Sequence, residues 1–184
     1  MLLTPAELRQ LTNAAHDVAD AVLESYIALA QDWAETVANA LLERRAKELV
    51  CTVFRSGLQR LYIPGHNVHI LEARLETQDV TSALEQVSFN AWEFAAEVGQ
   101  RLYVRYEAGY APAEVPPALK LTIAFGALYK LQEAGYARTE SWLGLEQLGV
   151  TTPEGTRNLR RQEFARWFVQ QIAPFSWAFP AGIL

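Results

Sequence analysis

The sequence contains one cysteine, Cys51, and one methionine. A single thiol excludes an intrachain disulfide framework and a zinc site built on cysteine pairs. Leu49, Val50, Thr52 and Val53 surround Cys51, so it is expected as a small core residue of a strand. Histidine is also scarce, at three residues, and only His66 and His69 are close together. On a strand, residues three apart point to opposite faces, so this pair is read as structural rather than metal-binding. Glu72 follows nearby, but no HExxH pattern is present. GxxxxGK(S/T), GxGxxG and GxSxG are all missing, which leaves nucleotide binding and an elbow-type nucleophile without support. No catalytic residue, metal ligand or cofactor is assigned from the residues.

Positive charge is in short supply. Sixteen Lys and Arg face 21 Asp and Glu, a net charge of -5. That balance argues against a free-standing nucleic-acid binder, which normally carries a basic excess. Long hydrophobic runs are lacking. The apolar run Leu121 to Tyr129, bracketed by two lysines, falls far short of the roughly 20 residues of a membrane helix. Glu7 and Arg9 sit near the start with no long apolar stretch, so no signal peptide and a soluble compartment are expected.

What is present is ordinary globular composition: 184 residues, 51% hydrophobic and 20% charged. A chain of that length suits a single domain and can bury a core without staples. Its charge is uneven. Residues 1–40 hold six acids and one base, and residues 150–184 hold two acids and four bases. The two ends are therefore opposite in sign.

Helix signals open the chain. Thr4-Pro5-Ala6-Glu7 forms a capping box with proline at the first helical position, predicting a helix over about 5–11. A long helix is predicted over about 14–42. Its apolar seam runs Val18, Val22, Tyr26, Leu29, Trp33, Val37 and Leu41, widened by Leu23, Ile27, Ala30, Ala34 and Ala38. Asp17, Asp20 and Glu24 lie on another face together with Gln31 and Glu35. From about 48 to 107 the period changes. Leu49–Phe54, Leu58–Ile63, Val68–Glu76 and Arg101–Glu107 read as strands, with turns at Ser56-Gly57 and Pro64-Gly65-His66-Asn67. Within residues 77–99, Gln86–Phe89 and Trp92–Ala95 fit strands, and a short helix around 81–87 fits as well. A nearly all-apolar helix, about 117–134, starts at Pro117 and is expected to be central. Residues 135–155 read as a loop, and a last helix is predicted over about 156–172.

Two surface features stand out. Arg157, Arg160 and Arg161 form a basic group on the last predicted helix, more suited to pairing with an acidic neighbour than to binding phosphate. Asp17, Asp20 and Glu24 read as a solvated or ring-lining acidic face, since no Glu-x-x-His partner supports a di-iron site. The tail 174–184 carries no charged side chain but contains Phe175, Trp177, Phe179, Ile183 and Leu184. Burying such side chains stabilises by roughly 1.5–3 kcal/mol each, so either this domain or a partner should cover them.

Two segments carry a family resemblance. Arg101-Leu-Tyr-Val-Arg-Tyr-Glu-Ala-Gly-Tyr110, then Val115-Pro116-Pro117-Ala-Leu-Lys-Leu-Thr-Ile-Ala124, joins a strand ending in Tyr-x-Ala-Gly-Tyr to a Val-Pro opening of a hydrophobic helix. This resembles the head–tail connector (portal adaptor, head completion) family of tailed phages. The capped short helix, the long helix, and strands around Leu61-Tyr-Ile-Pro64 and Val68–Arg74 fit the same plan, as does the apolar tail. The resemblance implies a mainly α fold: a helical bundle with a small β-hairpin or sheet element between the long helix and the central one. It implies a non-enzymatic structural virion protein in the neck, made in the host cytoplasm. It further implies a homo-oligomeric, commonly dodecameric ring under the portal protein, bridging it to a stopper or tail protein. DNA would pass through the ring without sequence-specific binding, and no membrane is involved. The tail residues would be portal contacts, with Trp177 and Phe179 as anchors. The acidic and arginine groups would be subunit contacts or channel lining. A stopper or tail-completion protein of the same neck is the alternative. A small enzyme or ligand binder, with a site formed only in three dimensions, is the other.

Overall fold

The computed structural model describes residues 1–134, 147–152, 155–176 and 182–183. The chain divides into two compact units, residues 1–38 with 112–175 and residues 39–111 with 176–184.

The first unit is helical. Helix α1 (Pro5–Thr12) has the predicted capping box: Glu7 N–H donates to Thr4 Oγ1 at 3.2 Å, and Thr4 N–H donates to Glu7 Oε2 at 2.9 Å. Helix α2 spans Asp20–Ala38, shorter at both ends than the predicted 14–42. Left-handed residues other than glycine break the predicted run, Asn13 and Ala15 (φ of 62°) before α2 and Asn39 after it. Asn13 takes a left-handed φ of 49° and closes α1, and Asn39 takes 50° just past α2. Asparagine tolerates that region, so it can end a helix as glycine does. Arg9 then fixes the intervening turn, donating to the carbonyls of Val18 at 2.8 Å and Ala15 at 3.3 Å.

The buried stripe of α2 is also shifted from the predicted one. Leu23, Ile27, Ala30, Gln31, Ala34 and Ala38 are buried, whereas Val22, Tyr26, Trp33 and Val37 are half-buried and Leu29 is exposed. The small residues win because α2 packs closely on helix α3 (Pro117–Glu133). Gln31 is buried because its side-chain oxygen accepts the Leu2 N–H at 3.1 Å.

Helix α3 is buried almost all round, as its composition implies, and packs against α1, α2 and helix α4 (Arg161–Ile172). Pro117 occupies its first turn, and the Pro116 carbonyl accepts from Leu119 and Lys120 at 2.9 and 3.1 Å. On α4, Phe164, Phe168 and Ile172 are fully buried. Phe168 stacks on Trp33 at 3.8 Å between centroids, and Phe164 stacks on Tyr129 at 4.7 Å. Gly126 makes this possible, because a Cβ there would sit 2.6 Å from the Phe168 ring and 3.3 Å from Ala30.

The second unit is a two-sheet β structure. Its strands are β1 (Arg45–Thr52), β2 (Gly57–Tyr62), β3 (His69–Leu75), β4 (Gln78–Asp79), β5 (Glu85–Ser88), β6 (Ala91–Ala96) and β7 (Arg101–Ala108). In chain order, β8 (Gln147–Thr152) and β9 (Gly155–Arg160) follow as an antiparallel hairpin in the helical unit, and β10 (Gly182–Ile183) returns to the β unit. One sheet has the order β1-β7-β3-β4 and the other β10-β2-β6-β5. Inward-facing Leu102, Val104 and Tyr106 of β7, Leu61 of β2, and Trp92 and Phe94 of β6 share one core. Strict alternation along β7 is the period-2 signature of a strand with one wet face. Cys51 lies on β1, half-buried and packed against this core.

The fold is therefore mixed α and β, not mainly α. The β element is a two-sheet unit rather than a hairpin, and a further hairpin stands where a loop and the start of a helix were predicted. The segments Gln86–Phe89 and Trp92–Ala95 that fitted strands are β5 and β6. The β content exceeds the expectation because these strands pair with the others into two four-stranded sheets. The helix predicted over 156–172 begins only at Arg161, because Gly155–Arg160 pairs with Gln147–Thr152. Among the described residues, no helix is long and apolar enough to cross a membrane.

Candidate assembly surfaces

The Tyr106-Glu-Ala-Gly-Tyr110 motif acts as a structural clasp. Gly109 adopts a φ of 106°, and a Cβ there would collide with the Glu43 backbone. Its N–H donates to the His66 carbonyl at 2.6 Å. Tyr110 N–H donates to Leu42 at 2.7 Å, and Tyr110 O accepts from Arg44 N–H at 3.0 Å. The motif thus fastens the end of β7 to the segment entering β1. His66 stacks on Tyr110 at 4.8 Å, whereas His69 is exposed on β3, opposite Glu107. The two histidines serve different places, and no group of three or more His, Cys, Asp or Glu able to hold a metal occurs among the described residues. Burial pushes the Tyr106 and Tyr110 hydroxyl pKa values up, as expected for phenols whose charged form is poorly solvated.

The three acids do not form one helical stripe. Asp17 lies in the turn before α2, while Asp20 and Glu24 are exposed one turn apart on it. Asp20 is bound by Arg9 at 2.6 Å. The exposed face of α2 continues through Ser25, Ala28, Leu29 and Asp32. This face mixes acids with small residues and one large apolar side chain, Leu29, 52% exposed. The arginines separate as well: Arg157 and Arg160 belong to β9, opposite Val150 and Gln147, and Arg161 opens α4. Phe175 closes a 3-10 turn after α4 and is half-buried, and Ile183 belongs to β10. Trp177, Phe179 and Leu184 lie outside the described residues.

A feature missing from the sequence reading is a cluster of exposed apolar side chains at one end of the β unit. Phe54, Leu58 and Val98 are 78%, 69% and 63% exposed. Backbone bonds hold the two turns together: Gly99 N–H to Val53 O at 2.9 Å and Val53 N–H to Gln100 O at 2.8 Å. The sequence signal was Phe54 itself, an aromatic beside the Arg55-Ser56-Gly57 turn. A depression of about 440 Å³ lies on the outer face of β1, β7 and β3, lined by Glu48, Val50, Glu72, Arg74, Tyr103 and Arg105. Charges of both signs line it, with Val50 and Tyr103 between them. Such a surface suits a protein neighbour with a polar rim better than a buried small ligand.

No protein-family model matches the sequence, and no curated protein does. Solved structures do match. The neck of a native gene transfer agent particle computed with C12 symmetry contains a chain 18% identical, with a TM-score of 0.59, covering 95% of this chain and 89% of that one. The neck of the empty particle computed with C6 symmetry gives 17% identity and a TM-score of 0.57, covering 95% and 90%. The virion of the native particle gives 18% identity and 0.58, with the same coverage as the empty neck. At this identity the likeness establishes the fold, including both the helical and the β parts.

Proposed function

We propose that the chain is a structural part of the neck of a tailed-phage-like particle, and within it the head–tail adaptor. It forms a ring under the portal protein and bridges that ring to a stopper or tail protein. The observation that carries this reading is the fold likeness to neck chains over 95% of the sequence. Those necks were computed with C12 and C6 symmetry, which supports a ring of twelve copies. The Tyr106–Tyr110 clasp and the Pro116-Pro117 helix start favour the adaptor over other neck parts, because they are the residues that carry the family resemblance.

A ring needs heterologous contacts, in which one face of a copy meets a different face of the next. The exposed face of α2 with Asp20, Glu24 and Leu29 is the proposed channel or subunit face. Arg157, Arg160 and Arg161 are the proposed contacts to an acidic neighbour. Phe175, Trp177 and Phe179 are the proposed portal anchors. DNA would pass an acidic wall without sticking, since phosphate binding requires positive charge.

The test is mass. Mixed with cognate portal rings and analysed by light scattering after gel filtration, an adaptor adds one subunit mass per portal subunit. Lack of co-elution with intact portal overturns the adaptor reading and favours the stopper. Deleting Pro174–Leu184 should weaken portal binding while circular dichroism stays native.

A further inference from the structure

We infer that the apolar tip of the β unit, Phe54, Leu58 and Val98 with Arg55, seats on the exposed α2 face of a second copy of this chain, around Leu29. The inference rests on the ring reading above. It gives the α2 face the role of subunit contact.

The tip is both exposed and fixed in shape. Three large apolar side chains stand in water on two turns. The turns are tied to each other. Besides the Val53 bonds to Gly99 and Gln100, Val98 N–H donates to Ser56 Oγ at 3.0 Å. Glu97 N–H donates to Gln100 Oε1 at 2.7 Å, which closes the second turn on itself. A contiguous exposed apolar patch marks an interaction site. One that is already rigid gives up little conformational freedom when it docks.

The α2 face matches the tip in shape, polarity and charge. Helical spacing sets the exposed Ala21, Ser25, Ala28 and Asp32 along one line, with Leu29 on one flank and Glu24 on the other. The small residues on that line leave room for a protruding ring such as Phe54. The Ser25 and Thr36 hydroxyls donate to the carbonyls of Ala21 and Asp32 at 3.0 and 2.8 Å. Those donors are spent within the helix, so covering the face strips few hydrogen bonds from water. Arg55 is the cation of the tip, and Glu24 and Asp32 are the anions of the face. None of the three takes part in an ion pair among the described residues. Glu97 makes the two turns neutral as a whole, so the pairing is local to Arg55.

A second copy is the occupant because it supplies both halves of the match in one contact. The tip and the α2 face are different surfaces. Each contact therefore leaves one free tip and one free face, and the same contact repeats from copy to copy.

The test loads full-length chains on cognate portal rings, with folding checked by circular dichroism and occupancy by light scattering. Phe54→Asp should raise the concentration needed to fill the ring by about tenfold or more, as loss of an apolar anchor does. Val98→Asp, at a second exposed site, should act alike. Arg55→Glu alone, and Glu24→Arg with Asp32→Arg, should each weaken filling. All three changes in one chain should restore it. In a Cys51→Ala background, Val98→Cys chains mixed with Ala28→Cys chains should give covalent dimers of one each when the ring is treated with a short bis-maleimide.

Rings that fill normally with both aspartate variants and give no mixed dimers overturn the inference and leave the ring standing. Filling that is lost with the tip variants but untouched by the α2 variants assigns the tip to the portal, which also overturns it. Failure of the combined charge exchange to restore filling overturns the pairing of Arg55 with α2. Wild-type chains that form no ring overturn the ring reading itself.

Discussion

At the scale of single residues, two contacts make sharp predictions. Gly109 combines a left-handed φ with a backbone approach that leaves no space for a Cβ. Gly109→Ala should therefore destabilise the chain by about 1–3 kcal/mol, read as a lower urea midpoint. A neutral outcome would mean the clasp to Glu43 is dispensable. Glu7 is the second case. Lys120 Nζ lies 2.7 Å from its Oε1. That hydrogen bond, then the Thr4 backbone N–H, holds the Glu7 carboxyl below the usual glutamate range. A lowered folded pKa means the stabilisation is present above the usual glutamate pKa and is lost as pH falls through the lowered value. Both side chains are partly exposed, so Lys120→Met should cost only about 0.5–1 kcal/mol at neutral pH. The gap between wild type and variant should shrink in acid. A gap unchanged down to pH 3 would point to packing of the lysine stem instead.

At the scale of elements, Gly126 governs how closely α2, α3 and α4 approach. Gly126→Val puts branched carbon where the Phe168 ring and Ala30 already stand. Overpacking of that kind costs about 1–3 kcal/mol, measurable by thermal unfolding. A stability at or above wild type would show that α4 can shift without penalty. The same elements show how far the sequence could be read. Helix α3 was legible because it is apolar on every side. α1 was legible from its capping box and β7 from its alternation. The C-terminal end of α2 was hidden because Asn39, an ordinary residue in a helix pattern, takes left-handed geometry there, and its start because Ala15 does so in the turn before it. Its buried stripe was hidden because close helix packing selects alanines over the larger Val22 and Leu29 beside them. Strand β5 was legible only as one of two options, a strand over Gln86–Phe89 or a short helix around 81–87, because neither of its faces is buried and nothing imposes a period on its side chains. The assembly surfaces were less legible still. Asp20 and Glu24 share a helix face as expected, but Asp17 does not, and the exposed Phe54, Leu58 and Val98 meet only through turns distant in sequence.

At the scale of the whole molecule, charge makes the next prediction. The first 40 residues carry a net -5 and the last 35 a net +2, from six acids against one base and two acids against four bases. Head-to-tail contacts that pair these ends should weaken with salt. For the proposed ring, occupancy on the portal should fall between about 0.05 and 0.5 M salt, as the screening length drops from above 10 Å to a few Å. Occupancy that rises with salt would instead mean that apolar contacts dominate and that the net -5 of each copy is the main obstacle.

The placement of the lone thiol has a consequence for durability. Cys51 is half-buried on β1, and the only thioether is Met1, at the start of the chain. Sulfur is where proteins oxidise first, and exposed thiolates are the most vulnerable. For the proposed particle component, which would leave a reducing cell for air-saturated medium, having so little to oxidise is an advantage. One thiol per copy permits at most one disulfide per chain, so oxidation could join copies only in pairs and never into larger covalent networks.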